Sequence, residues 1–218
     1  MPMTDAWPPP APDPLVPGAA TAAGDLEEGL RARLFEQRTI ILSGWLDDAR
    51  AGRAVAELMT LDATGNGPIH LRLDAAGGTV DAAFALIDTI DLCGVQVRVT
   101  CLGRAEGPAV GVLAAGHRRA ASEHARIRLA DPDLRVEGHA RDVATHAAAA
   151  IGRVSAFHER LARATGRPLP QVEEDCAAGR YLSADEALAY GLVDEIAGRG
   201  AAVRPPGSRR LGFQPPSR

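Results

Sequence analysis

The chain has 218 residues, 46% of them hydrophobic, and a formal net charge of −4, enough apolar material for one sizeable core and too little for two large domains. All 24 basic residues are arginine and no basic stripe stands out to meet phosphates, which argues against nucleic-acid binding as the main activity. No apolar run reaches membrane-spanning length, and the opening MPMTDAWPPPAPDPL lacks the basic region and apolar core of a secretory signal, so a soluble cytoplasmic protein is expected.

Seven of the 16 prolines fall within residues 2–17 and four more at 205, 206, 215 and 216. Residues 1–25 are therefore expected to form a disordered proline-rich extension and 198–218 a flexible tail, flanking a folded domain over 26–197. RTIILSG (38–44) reads as a strand. After Asp47-Asp48 comes a helical stretch with Val55, Leu58, Met59 and Leu61 on one side. IHLRLD (69–74) alternates with the period of a strand, Ala-Ala-Gly-Gly (75–78) reads as a tight connection, and Thr79 can cap the helix VDAAFALIDTID. VQVRVTCLG (95–103) is a third strand, followed by the small-residue helix of GRAEGPAVGVLAAG (103–116) and a hairpin at His117–Glu123. The repeated strand–helix order favours a mainly parallel sheet with helical crossovers.

From Arg141 to Thr165 the pattern is one long helix, with Val143, Ala147, Ile151, Val154 and Leu161 at helical spacing and Thr165-Gly166-Arg167-Pro168 as its stop. SADEALAYG (183–191) contains a capping box, Ser183 with Glu186, and Gly191 closes that helix. Three cysteines (Cys93, Cys101, Cys176) and six scattered histidines form no metal-like spacing, so the sequence gives no metal and no cofactor, and the thiols read as buried residues of a reducing compartment. His146, among alanines, reads as a packed or surface histidine.

Five segments in order resemble the proteolytic subunit of the bacterial Clp protease over roughly residues 30–196: LFEQRTIILSGWLDD, DAAGGTVDAAFALIDTI, CLGRAEGPAVGVLAAG, DPDLRVEGHARDVATHA and GRYLSADEALAYGLVDEI. The resemblance implies an α/β fold, the ββα spiral shared with crotonases, with a protruding handle helix. It also implies seven-subunit rings, usually stacked in pairs, that enclose a proteolytic chamber fed by a Clp ATPase unfoldase.

Peptide hydrolysis in that family needs a serine nucleophile, a histidine base and an aspartate that orients it, with two backbone N–H groups facing the oxyanion. By the resemblance the serine place falls on Gly107, counted back from Leu113-Ala114-Ala115-Gly116. The histidine place falls on Ala130 and the aspartate place on Gly179, four residues before Ser183. No serine lies between Gly103 and Gly116 and no histidine between His124 and His139, so a short slip in register finds no substitute. One oxyanion donor would come from the residue after the nucleophile, here Pro108, which has no N–H. The other would come from the glycine turn, kept as Gly77-Gly78, where the plainer reading is a backbone that needs a positive φ. Glu106 and Asp131 stand beside two triad places as substitute carboxylates, although such residues more often pair with arginines such as Arg104, Arg126 and Arg128. Asp175 could not replace the aspartate without a change of backbone path. Charged residues that latch rings together in the family fall on Ala177 and Ala178.

The expected function is therefore a catalytically inactive Clp proteolytic-subunit homologue. It would be a structural or regulatory subunit in a ring with an active Clp peptidase paralogue, docking a Clp ATPase unfoldase. Two alternatives remain: a crotonase-like acyl-CoA enzyme, suggested by GPAVGVLAAGHRRAASEHARIRLADP, and a homo-oligomeric module that binds peptides or an unfoldase without hydrolysis.

Overall fold

The computed structural model describes residues 28–133 and 140–198. The proline-rich extension, the tail beyond Gly198 and residues 134–139 of the DPDLRVEGHARDVATHA segment lie outside the described residues. The chain divides into a unit ending at Gln37, described as helix α1 (residues 28–36), and a unit that begins at Arg38.

In the second unit β1 (Thr39–Leu46), β2 (Ile69–Gly78), β3 (Val97–Glu106), β4 (Arg118–Ser122) and β7 (Glu195–Ala197) form a parallel sheet in the order β1-β2-β3-β4-β7. Helices α2 (Asp48–Thr64), α3 (Val80–Leu92) and α4 (Pro108–Ala115) make the crossovers between successive strands. Period-two alternation along β2 sends Ile69, Leu71 and Leu73 into the core at 0% exposure, so the pleat itself sorts the side chains. Thr79 caps α3 as its sequence suggests, accepting a hydrogen bond from the Ala82 N–H at 3.2 Å. Asp47 does the same for α2.

The buried face of α2 is Ala51, Ala54, Leu58 and Leu61, whereas Val55 is half-buried and Met59 is 62% exposed. The expected apolar side was thus rotated. Alanines let the helix approach closely, and the larger Met59 is left outside.

Residues 75–78 are not the tight connection expected; they continue β2. Gly44 pairs with Ala75 but Leu46 pairs with Gly78, so β2 carries one extra residue here, a bulge at which Gly77 takes φ +138°. A Cβ on Gly78 would lie 2.3 Å from the Leu46 Cβ and 2.6 Å from the Leu46 carbonyl oxygen. Backbone cannot yield as a flexible side chain does. Gly78→Ala is therefore expected to destabilise the fold by about 3 kcal/mol. Gly52→Ala, on the exposed side of α2 with nothing within 4 Å, is expected to stabilise it by about 0.5–1 kcal/mol. Urea midpoints of the two variants should move in opposite directions.

A second bulge splits β3. Cys101 pairs with Leu73 but Ala105 with Ala75, and the Asp74 carboxylate fills the step, accepting from the Arg104 N–H at 3.0 Å. Below the step β3 pairs with β4; above it, Arg104–Glu106 pair in parallel with β5 (Arg126–Arg128). The segment 117–123 is accordingly not a hairpin, because β4 and β5 lie side by side with successive halves of one strand. β6 (Tyr181–Ser183) adds antiparallel to β5.

Helix α5 (Ala140–Thr165) is the long helix expected. Among its described side chains Phe157, His158 and Leu161, near its C-terminal end, are buried, while Ile151 is 61% exposed, so the apolar spacing does not mark one continuous buried stripe. Phe157 sits over Gly111, where a Cβ would come within 2.7 Å of the ring, and this brings α4 hard against α5. Helix α6 (Leu169–Ala177) and α7 (Ala184–Tyr190) follow. The Ser183–Glu186 capping box forms, and Gly191 ends α7 at φ +84°.

Candidate functional site

The site is built at the upper end of β3. Gly107 has φ +51° and ψ −125° and links the strand directly to α4, a combination that L-residues avoid. Its N–H donates to the Arg128 carbonyl at 3.0 Å, which fixes the turn to β5. Pro108 suits the first position of α4, where a missing N–H costs no helical bond. All eight residues of α4 are buried, so the turn is held by a packed helix below it. A Cβ at 107 would meet nothing nearer than the Ala130 carbonyl oxygen, 3.8 Å away. The turn has room for a side chain and carries none.

The chain brings the other two predicted positions to the same place. β5 runs beside the end of β3, and the Leu129 N–H donates to the Arg180 carbonyl at 2.8 Å, so Ala130 and Gly179 follow one another across a continued ladder. Gly179, at φ +65°, ends the turn after α6. A Cβ there would lie 3.1 Å from Arg128 Nη2. Gly107, Ala130 and Gly179 therefore converge around residues 128–130. Arg128, expected from sequence only as an ion-pair partner, has its guanidinium over the Gly179 position.

Arg128 lies over the Tyr181 ring at 5.4 Å and approaches the Glu106 carboxylate at 4.0 Å, while its Nε is buried without a hydrogen-bond partner. Glu106 thus has a cation beside it. Asp131 faces elsewhere, its Oδ1 lying 2.8 Å from His158 Nε2. The two carboxylates are engaged by different partners on different elements. Asp175 accepts hydrogen bonds from Arg180 at 2.9 Å and from the Tyr190 hydroxyl at 2.8 Å. Burial first, and then that bond to a carboxylate, push the Tyr190 hydroxyl well above the usual phenol range. Gly77 packs beneath the Trp45 ring, where a Cβ would approach to 2.6 Å, so close packing as well as positive φ requires glycine in this pair.

Two of the thiols are deeply buried. Burial, aided by Asp74, pushes Cys101 up to about 12. Cys176 is likewise pushed up to about 12, by burial and then by Asp131 and Asp175. His146 is exposed on α5. Ala177 and Ala178, the expected latch positions, are exposed.

A tight strand-to-helix turn at Gly107, whose absent Cβ would face the Ala130 carbonyl oxygen at 3.8 Å, thus lies at the same end of β5 as Gly179. The family model for Clp protease matches residues 24–200. The chain belongs to the Clp protease family. Its mixed α/β architecture, with a central sheet and a long helix after the site, is that of the Clp protease fold. Among the described residues of this Clp protease homologue no helix is long and apolar enough to cross a membrane. Glycine at 107 and 179 and alanine at 130 supply neither a nucleophile nor a base.

Proposed function

We propose that this chain is a catalytically silent subunit of a Clp-type peptidase ring, assembled with an active paralogue and serving a Clp ATPase unfoldase. The observation that carries the reading is the elbow at Gly107. It keeps a backbone path that L-residues avoid, with a packed helix behind it and space in front of it, while the reacting side chain is absent. Support also comes from Pro108, which removes an oxyanion donor, and from Arg128, whose guanidinium covers the place an orienting carboxylate would need. Loss at all these points leaves a body suited to shaping a chamber or a docking surface.

The test is native mass spectrometry of the tagged protein isolated from its own cells, with a fluorogenic peptide assay on the same sample. The expected result is a mixed ring whose hydrolysis disappears when the partner's serine is replaced. A homomer with no peptidase activity would favour a binding module instead. Hydrolysis by a homomer would overturn the assignment of Gly107, Ala130 and Gly179.

A further inference from the structure

Beside the three converging positions, the structure gathers a set of groups that the Clp family membership does not account for. Asp131 follows Ala130, three residues past the end of β5, His158 comes from the buried part of α5, and Cys176 from the last turn of α6. One ligand atom from each lies within 4.8 Å of the other two. His158 and Cys176 are buried, and Asp131 is exposed. A carboxylate that pairs with a histidine explains two of these residues. It does not explain why a thiol points to the same spot.

We propose that Asp131, His158 and Cys176 form a binding site for a divalent d-block cation of the zinc type. A thiolate, an imidazole and a single carboxylate are the donors that such a borderline ion prefers, whereas calcium and magnesium take oxygen sets. On a tetrahedral zinc, with bonds of about 2.0–2.3 Å, neighbouring donor atoms stand roughly 3.3–3.7 Å apart. The observed 2.8 Å between His158 Nε2 and Asp131 Oδ1 must open slightly, and the sulfur must move inward, both by small side-chain rotations. Exposed Asp131 provides the route in from solvent. As the metal–sulfur bond forms, the thiol proton leaves to water. Three protein donors leave a fourth position for water or another small donor.

The bound ion would tie β5, α5 and α6 together next to Ala130. Such a staple needs no triad, so the site stands or falls independently of the silent-subunit reading.

The experiment is cobalt(II) titration of the full-length, chelator-stripped protein, with zinc content of the purified chain measured in parallel. Expected are a near-ultraviolet sulfur-to-cobalt charge-transfer band with strong visible bands of tetrahedral cobalt, saturation at one ion per chain, and competition by zinc. Cys176→Ser should abolish the charge-transfer band, and His158→Asn, which lacks an atom at the Nε2 position, should weaken binding more than about tenfold. Cys93→Ser should leave both unchanged. Circular dichroism establishes that each variant is folded, and His158→Asn serves if Cys176→Ser is not. A folded wild type that gives no charge-transfer band and retains no zinc overturns the proposal, as does a band that survives Cys176→Ser.

Discussion

Replacement of Arg119 by alanine is expected to cost about 2–4 kcal/mol of folding stability, because one half-hidden guanidinium serves several acceptors at once. Arg119 stands on β4 with its side chain only 16% exposed. Nη1 donates to the carbonyls of Ala164 at 2.8 Å and Gly191 at 3.0 Å, which closes the ends of α5 and α7 against the sheet. Nη2 meets Asp194 Oδ1 at 2.5 Å, and the Arg119 N–H donates to Asp194 Oδ2 at 2.8 Å. Alanine leaves two carbonyls and a carboxylate without that partner. Lysine recovers only part of the loss, since a point charge cannot spread over three acceptors. Arg118, paired with Glu195 at 3.7 Å with both side chains more than half exposed, is the control: its alanine variant should change stability by less than about 0.5 kcal/mol.

The same pair sets a pH dependence. Burial alone would raise the Asp194 carboxyl, but the hydrogen bonds from Arg119 outweigh it and hold the group below the usual carboxylate range. The stabilisation is therefore complete above the unfolded value, about 3.9, and is lost as pH falls through the lower folded value. The gap between the urea midpoints of wild type and Arg119→Ala should be widest above pH about 4 and narrow below it, leaving the share that rests on the two carbonyls. A constant gap would mean that the carboxylate does not contribute through this arginine.

Elements with local causes were legible in the sequence. Alternation along β2, the Thr79 cap and the Ser183–Glu186 box each depend on residues a few positions apart, and each forms. Tertiary close approach was not legible. Ala-Ala-Gly-Gly resembles a turn, but Gly78 is glycine because β1 presses on it, so the strand continues. Met59 and Ile151 fit helical spacing yet are exposed, because Ala51 and Ala54 join Leu58 and Leu61 on the buried face of α2 and, among the described side chains of α5, Phe157, His158 and Leu161 are the buried ones. The glycine turn at 107 between β3 and α4 was legible because strand, turn and helix lie within one contiguous segment. Arg128 over Gly179, and the meeting of Asp131, His158 and Cys176, join residues far apart in the chain, and no short motif encodes such spacings.

The largest expected effect on activity concerns attempts to rebuild the peptidase. On the proposed placement of the triad and oxyanion donors, Gly107→Ser combined with Ala130→His and Gly179→Asp supplies the missing residue types, yet this triple variant is expected to remain almost without peptidase activity. Three physical reasons converge. A side chain at 107 must adopt φ +51° and ψ −125°, a strain of about 1–3 kcal/mol that the packed helix has to hold. The new carboxylate at 179 would start from a Cβ only 3.1 Å from Arg128 Nη2, and would pair with that cation before it could orient an imidazole. Pro108 still withholds one N–H from the oxyanion, and the loss of a single such donor costs about 10²–10³-fold in rate. Adding Pro108→Ala to the triple variant should therefore raise hydrolysis of a fluorogenic peptide by about that factor, and adding Arg128→Gln should raise it again. Labelling by a fluorophosphonate would report the nucleophile separately from turnover. If the triple variant proves equally active with proline or alanine at 108, the N–H at that position is no part of the oxyanion site. The elbow would then have to be placed elsewhere in the chain. If activity instead climbs in the expected order, the silence of this subunit is distributed over its backbone and over Arg128 as well as the three missing side chains, and no single reversion could restore it.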